Sequence, residues 1–355
     1  MPEGLLDGMR VLDLSVWRPG PYATQLLAEL GADVLKVEPP GGDPMRAYAE
    51  LFASLHAGKR SICLDLKRPD DLGVALELGT SADVVVEGFR PGVADRLGVG
   101  DSVVRSHNPG VVYCSISGFG QTGPLAAVPG HDLSYQAWSG ALAPDGGPPM
   151  ASHLAVADLA AGMTAAMAVC AAWARRARTG RGERIDVSMA DLLATWTGAA
   201  ASRLAGVDGP AGGPAGYGTF ATADGGYVAL SVLAEDRFWA SLCGEVGLDD
   251  AADLDVVERT RRAPELQARL AEAIVLRGRD ELVAALLAVD VPVAPVLDRA
   301  GMLALDHFRE RGTVTAAPGG DSRVGQPVRF EQHPPRRPTP SPALGEHQGQ
   351  GWLPR

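Results

Sequence analysis

Short apolar runs and amphipathic stretches alternate along the first part of the chain. Residues 9–14 and 33–38 are apolar runs of strand length, and residues 22–30 between them have helical spacing. A turn rich in Pro and Gly at 18–21 precedes this helix, and Gly31 is suited to end it. The order strand, helix, strand predicts a βαβ unit, whose strands are parallel and whose crossover is right-handed.

The alternation continues over the first two hundred residues. Further strands are predicted at 61–66, 83–87, 111–117 and 183–187, and helices at 70–79 and over most of 154–205. This order indicates an α/β protein with a Rossmann-like open parallel sheet. Ligands of such folds bind beyond the carboxyl ends of the strands. We therefore expect the site among the loops at 15–21, 39–46, 88–92 and 118–135.

A change of composition predicts a second domain. Residues 206–218 are rich in Gly and Pro and predict a linker. Residues 216–232 predict a hairpin that turns at 224–226, and helices are expected at 235–245, 265–275 and 279–289. We predict a large α/β domain that starts with 1–205 and a small α/β domain at 219–300.

Composition and charge narrow the class of partner. The 355 residues are 46% hydrophobic, which is typical of globular domains, and their number predicts about two of them. The net charge of -11 argues against a nucleic-acid partner, because binding phosphates along a nucleic acid needs a basic face. A small anionic ligand stays possible where arginines, lysines or backbone N–H groups cluster.

Several features predict a cytoplasmic protein without membrane contact. Four scattered cysteines, with no C-x-x-C pair, exclude zinc-ribbon spacing and fit a reducing compartment. The first ten residues lack the apolar core of a signal peptide. The apolar tract at 154–173 contains Asp158 and many small residues, so a buried helix is a better interpretation than a membrane span.

Common catalytic motifs are missing from the chain. There is no P-loop, G-x-S-x-G or H-E-x-x-H sequence, and the glycines at 118–123 have the wrong spacing for a dinucleotide loop. Asp158 lies among small apolar residues, where a carboxylate serves chemistry, caps the helix expected at 159–177, or does both. His131 and Asp132 lie in a predicted loop, where Asp132 is expected to cap the helix that starts near Leu133. Glu235 fits the ordinary acidic first turn of a helix.

Motifs spread along nearly the whole chain resemble the family III CoA-transferases, the CaiB/BaiF group, which includes the α-methylacyl-CoA racemases. The segments that carry the resemblance are 8–13, 30–38, 58–61, 89–93, 117–124, Asp158 with its helix, and 179–182. The resemblance implies the family III CoA-transferase fold. In that fold 1–205 and a return segment, 301–355, together form a large Rossmann-like, CoA-binding domain, and 219–300 form a smaller inserted domain. It also implies an interlocked homodimer.

Two chemistries occur in this family. In its transferases an Asp matching Asp158 attacks the thioester and carries CoA as an aspartyl thioester. In its racemases the same Asp works with a His of a Gly-His-Asp-x-x-Tyr motif, which here is 130–135. His131 therefore favours an acyl-CoA racemase that inverts the α-carbon of a 2-methylacyl-CoA, and a CoA-transferase is the alternative. Glu235 falls near a family Glu that pairs with the racemase His.

The resemblance also implies how the CoA thioester is held. Cys63, Leu64, Asp65 and Leu66 would line the adenosine side, and Gly130, Asp132 and Tyr135 would lie along the pantetheine and thioester. Pro39 stands where racemases carry an Arg, which points toward the transferases. Arg46, Arg60 and Arg90 are then the candidates to hold the phosphates, and Arg90 would also lie along the pantetheine. CoA enters as part of the substrate, so neither a metal nor a redox cofactor is expected. A member that binds CoA esters without turnover is a further alternative.

Overall fold

The computed structural model describes residues 4–142, 149–199, 213–316, 322–336 and 339–355. The described residues form two compact units. The larger one contains 4–142, 150–199 and the described residues from 306 onward, and the smaller one contains 213–305. Of the predicted linker, 206–212 lie outside the described residues, and Tyr217 and Gly218 already belong to a strand.

A six-stranded sheet forms the centre of the larger unit. Its strands run parallel in the order β3-β2-β1-β4-β5-β6. They are β1 (Arg10–Asp13), β2 (Asp33–Glu38), β3 (Arg60–Cys63), β4 (Val84–Glu87), β5 (Val112–Ser117) and β6 (Arg184–Ser188). The central strands β4 and β5 are buried on both faces, which explains why they are mostly apolar. The predicted α/β class with an open parallel sheet is confirmed, and the interlocking of two chains stays a prediction.

Helices cover both faces of this sheet. Those of the larger unit before the small unit are α1 (Pro19–Glu29), α2 (Ala49–His56), α3 (Pro69–Ser81), α4 (Val93–Arg96), α5 (Asp101–His107), α6 (Asp132–Trp138), α7 (Val156–Thr179) and α8 (Met189–Ala199), with a 3-10 turn at Pro44–Ala47. Successive strand residues point to opposite layers. Val11 packs with α1 and α7, whereas Leu12 packs with α3 and α5.

The long helix α7 lies directly against α1. Gly162 permits this contact, because a Cβ there would lie 2.8 Å from the carbonyl oxygen of Pro19 and 2.8 Å from the ring of Tyr22. Among the described helices only α7 is long and apolar enough to cross a membrane. Its buried alanines instead pack on α1 and the sheet.

The smaller unit has its own core. Its antiparallel sheet joins β7 (Tyr217–Ala221), β8 (Tyr227–Ser231) and β9 (Val293–Pro295), so the predicted hairpin is confirmed. Its helices are α9 (Asp236–Val246), α10 (Val256–Arg261), α11 (Ala263–Ile274), α12 (Arg279–Ala288) and α13 (Arg299–Ala304), with a 3-10 turn at Asp249–Ala251. The buried indole of Trp239 donates to the carbonyl of Ala251 at 2.7 Å.

The last part of the chain packs against the edge of the large sheet. It contains α14 (Asp306–Glu310), β10 (Val314–Ala316) and β11 (Ser322–Val324), and then an extended segment. In that segment His347 donates its backbone N–H to Ser61, and the side-chain oxygen of Gln348 accepts from the N–H of Cys63. The segment therefore covers part of the outer edge of β3.

Candidate active site

A cavity of about 470 Å³ opens at the carboxyl ends of β1, β4 and β5. The strand order reverses between β1 and β4, and this is where open α/β sheets bind ligands. The loops that follow these three strands line the cavity together with α6, α7 and α8. Three of the four expected loops thus meet here. The fourth, 39–46, contributes Pro39 to a neighbouring pocket.

His131 and Asp158 line this same cavity, although 27 positions separate them in the sequence. His131 is the residue before α6 and has an extended backbone, and its side chain makes no cap hydrogen bond. The ring of Trp17 meets the imidazole edge-on, with ring centroids 6.2 Å apart. Two ionisable groups of different kind therefore line one cavity.

The interpretation of Asp158 as a helix cap was wrong. The helix begins at Val156, its N-cap is Ala155, and Asp158 lies inside the first turn. Burial raises the pKa of Asp158 to about 6, and the nearby carboxylate of Asp132 acts in the same direction against the charge of Arg18. Asp158 is thus a stronger base than an ordinary aspartate, yet it is mostly ionised at neutral pH.

The prediction that Asp132 caps its own helix was wrong. It is the first residue of α6, and no side chain caps that helix. One carboxylate oxygen accepts the backbone N–H of Asp158 at 3.0 Å, and the other accepts the amide of Gln136. Asp132 therefore connects α6 to the first turn of α7 and holds Asp158 in place.

Two glycines of the cavity give room to Tyr135. Its hydroxyl donates to the carbonyl of Gly130 at 2.6 Å. A Cβ on Gly118 would lie 2.4 Å from the ring, and one on Gly130 would lie 2.8 Å from it. Burial raises the pKa of Tyr135, so the phenol stays neutral and acts as a donor. The last residue of the Gly-His-Asp-x-x-Tyr motif, Tyr135, thus packs against its first residue, Gly130.

A second, apolar pocket of about 180 Å³ adjoins the cavity. Leu64, Asp65 and Leu66 line it, and Val16 and Phe89 line both spaces. Lys67, which the sequence analysis did not single out, adds an exposed ammonium group at its border. Cys63 lies outside this lining, and its backbone N–H donates to the side chain of Gln348 in the last part of the chain.

The three candidate arginines differ in what they bind. Arg90 lines the cavity and is exposed. Arg46 donates two hydrogen bonds to Glu38, at 2.7 and 2.6 Å, and Arg60 donates two to Asp33, at 2.9 and 2.7 Å. The structure places neither of these two in the lining of the cavity or the apolar pocket. Arg90 is thus the one of the three that is placed to meet a ligand.

Glu235 belongs to the smaller unit. It is the residue before α9, and one carboxylate oxygen accepts the backbone N–H of Leu233 at 3.2 Å. Its pairing with His131 stays a prediction.

Glu87 is a buried residue that the sequence analysis did not single out. Burial raises its pKa to about 7, although Ser115 and the N–H of Phe89 donate to its carboxyl group. It lies at the end of β4 and fixes the loop that carries Phe89 and Arg90. The position of this Glu at the end of an apolar strand is the feature of the sequence that could have identified it. In the described part of the chain, no group of three or more His, Cys, Asp or Glu side chains is arranged to hold a metal.

Comparisons with known proteins agree with this arrangement. Residues 6–348 match the model of the family described as CoA-transferase family III. The chain is 35% identical to acetyl-CoA:oxalate CoA-transferase of Acetobacter aceti, over 97% of this chain and 94% of that protein. It is 32% identical to α-methylacyl-CoA racemase of Homo sapiens, over 96% and 91%. The crystal structure of a CaiB/BaiF family protein from Brucella suis matches with a TM-score of 0.85 and 31% identity, over 97% of both chains. The resemblance is therefore confirmed, and the chain belongs to the CoA-transferase family III.

Proposed function

We propose that this protein is an acyl-CoA racemase that inverts the α-carbon of a 2-methylacyl-CoA. The observation that supports it most is that His131 and Asp158 line one cavity. Inversion needs a proton acceptor on one face of the carbon and a donor on the other, whereas transfer through an aspartyl thioester needs the carboxylate alone. The raised pKa of Asp158 supports a role as a base.

The reaction then has two proton transfers. One of the two groups takes the α-proton, and the electron pair of the C–H bond moves into the thioester to form an enolate. The other group returns a proton to the opposite face of the carbon. The N–H of Asp158 is already bonded to Asp132, and the hydroxyl of Tyr135 is bonded to the carbonyl of Gly130. The exposed side chain of Arg90, which lines the cavity, is therefore our candidate to meet the enolate oxygen.

We also propose an orientation for the bound acyl-CoA. The adenosine would occupy the apolar pocket, and the pantetheine would pass Val16 and Phe89, which line both spaces. Arg90 and Lys67 would meet the phosphates. The acyl group would then end between His131 and Asp158.

Exchange of the α-proton with solvent tests the proposal. Incubation of one enantiomer of 2-methylbutanoyl-CoA in deuterated water should give α-deuterium and loss of optical purity without any acceptor acid. His131→Ala should lower the exchange rate at least a hundredfold, as is typical for loss of a general acid or base. Substitution of the exposed His107 on α5 by Ala is the matched control and should change nothing. Full exchange in His131→Ala would reject the two-base proposal.

Transfer of CoA to a free acid is the second candidate. The relative from Acetobacter aceti carries that activity in its name, and Asp158 is half-buried and lines the cavity. The carboxylate would attack the thioester carbonyl and release CoA, and CoA would then attack the mixed anhydride to give an aspartyl thioester and the free acid. Formation of a new CoA ester from added succinate or oxalate, retained in His131→Ala and lost in Asp158→Ala, would favour the transferase.

A further inference from the structure

The backbone of Trp17 is strained. Its φ is 64°, and among the described residues only one other non-glycine residue, Asp290, has a positive φ. A bulky residue seldom adopts this region, because its Cβ crowds the neighbouring backbone. Such strain persists where the surrounding structure imposes it, and it is frequent at ligand sites.

Buried hydrogen bonds impose this conformation from the preceding residues. Ser15 donates its N–H and its hydroxyl to Asp13, and its carbonyl accepts the ammonium of Lys36 at 2.7 Å. Lys36 also pairs with Asp43 at 2.8 Å, and Lys59 pairs with Asp13 at 3.1 Å. All four of these charged side chains are fully buried. The path of the chain into Trp17 is therefore fixed from the core.

The chain that follows Trp17 is equally constrained. A Cβ on Gly20 would lie 2.3 Å from the side chain of Ser15, so the turn closes tightly around that residue. Pro19 then begins α1. The backbone is thus constrained on both sides of Trp17, and the side chain of Trp17 lines the cavity.

The indole is an apolar surface next to the reacting groups. Trp17 is 44% exposed and lines the cavity beside His131. Other large apolar side chains of the lining are Val16, Phe89, Val93, Ile116, Val128 and Met189. A large exposed aromatic ring in such a place gains free energy when an apolar group covers it.

We propose that Trp17 determines acyl-chain specificity, with its indole as the wall on which a bulky apolar acyl group lies. The enzyme would then prefer branched or aryl-substituted acyl thioesters to short or ω-carboxylated ones. This inference rests on the proposed acyl-CoA function. It explains why the fold maintains a strained backbone at this position.

A pair of substrates and two variants test the assignment. The rates of α-deuterium uptake are measured for 2-methyl-3-phenylpropanoyl-CoA and for 2-methylbutanoyl-CoA. Trp17→Ala should lower the ratio of the two kcat/KM values about tenfold, the size expected when roughly 50 Å² of apolar contact is lost. Trp17→Phe should keep the ratio within about threefold. Trp196→Ala, which removes an exposed indole outside the cavity lining, is the control.

Two results would overturn the assignment. An equal loss for both thioesters would mean that Trp17 only supports the fold, and an unchanged ratio would mean that the acyl group lies elsewhere. If Trp17→Ala does not fold, Trp17→Gly removes the same ring and adopts the required φ without strain.

The proposed function and the specificity are tested separately. If the wild type incorporates no deuterium, the proposal that the protein is a racemase is wrong. The dissociation constants of the same two thioesters then test Trp17. A preference for the phenyl compound that Trp17→Ala removes would still support the assignment.

Discussion

Asp132 acts on Asp158 in two ways that a substitution separates. Its charge raises the pKa of Asp158, and its oxygen holds the backbone N–H. Asp132→Asn keeps an acceptor oxygen and removes the charge, so the pKa of Asp158 should fall from about 6 toward its ordinary value. Activity that needs the carboxylate is lost as pH falls through this pKa. The acid limb of kcat/KM for deuterium exchange should therefore move to lower pH, and a limb that stays or moves up would contradict this.

The raised pKa of Asp158 also costs stability. A carboxyl group whose folded-state pKa lies above its unfolded value stabilises the fold only in its protonated form. That contribution is present below pH 4 and is lost as pH rises through about 6. At pH 7.5 the free energy of unfolding of Asp158→Asn should therefore exceed that of the wild type by about 2 kcal/mol. At pH 4 the two values should be equal. Urea unfolding at both values measures it, and a loss of stability at pH 7.5 would be the opposite result.

Contacts between distant residues limit what the sequence could predict about the site. Asp132 and Asp158 each looked like a helix cap, because an Asp before a helix usually is one. Both helices instead start at residues whose side chains make no cap bond, and the two aspartates meet across 26 positions. Arg46 and Arg60 likewise pair with carboxylates on β2. A short sequence pattern cannot predict these pairings, because the partners are distant in the sequence.

At the level of elements, the contact between α1 and α7 sets the shape of the cavity. The first helix follows Trp17, and the second carries Asp158. Gly162→Ala should lower the free energy of unfolding by about 1–3 kcal/mol, because the new methyl group meets the backbone of Pro19. It should also reduce exchange activity.

The matched control for this contact is Gly73→Ala on α3. A Cβ there has open space, so the substitution should raise stability by about 0.5–1 kcal/mol. Thermal unfolding of both variants checks the pair. A stabilised Gly162→Ala would show that the helices do not need their close approach.

The elements themselves were predictable where burial made the pattern simple. All six strands of the large sheet were predicted. The pattern is simplest in a central strand such as β4, which is buried on both faces and is mostly apolar. The ends of the helices were harder to predict from the sequence. The start of α7 lies three residues before the predicted one, since Ala155 gives no capping signal.

For the whole molecule, the exposed apolar side chains of the larger unit support the predicted second copy. Trp138 of α6 is 62% exposed and Met167 of α7 is 67% exposed, and Leu133 and Met163 lie on the same two helices. The two helices α6 and α7 contact each other, and both expose large apolar side chains, as helices at interfaces often do. We expect sedimentation at twice the chain mass. A monomer at micromolar concentration would reject the interlocked homodimer.

The end of the chain has a structural role that truncation can measure. Residues 341–355 cover the outer edge of β3, bond to Ser61 and Cys63, and accept a hydrogen bond from Arg46 at Pro342. Without them the edge strand exposes unpaired backbone groups, which promote pairing with other chains. A chain that ends at residue 340 should unfold at a lower temperature and scatter more light on warming. Gln348→Ala, which removes only the bond to Cys63, should show a smaller change. Equal melting temperatures for the full and truncated chains would mean that the sheet edge is stable without this cover.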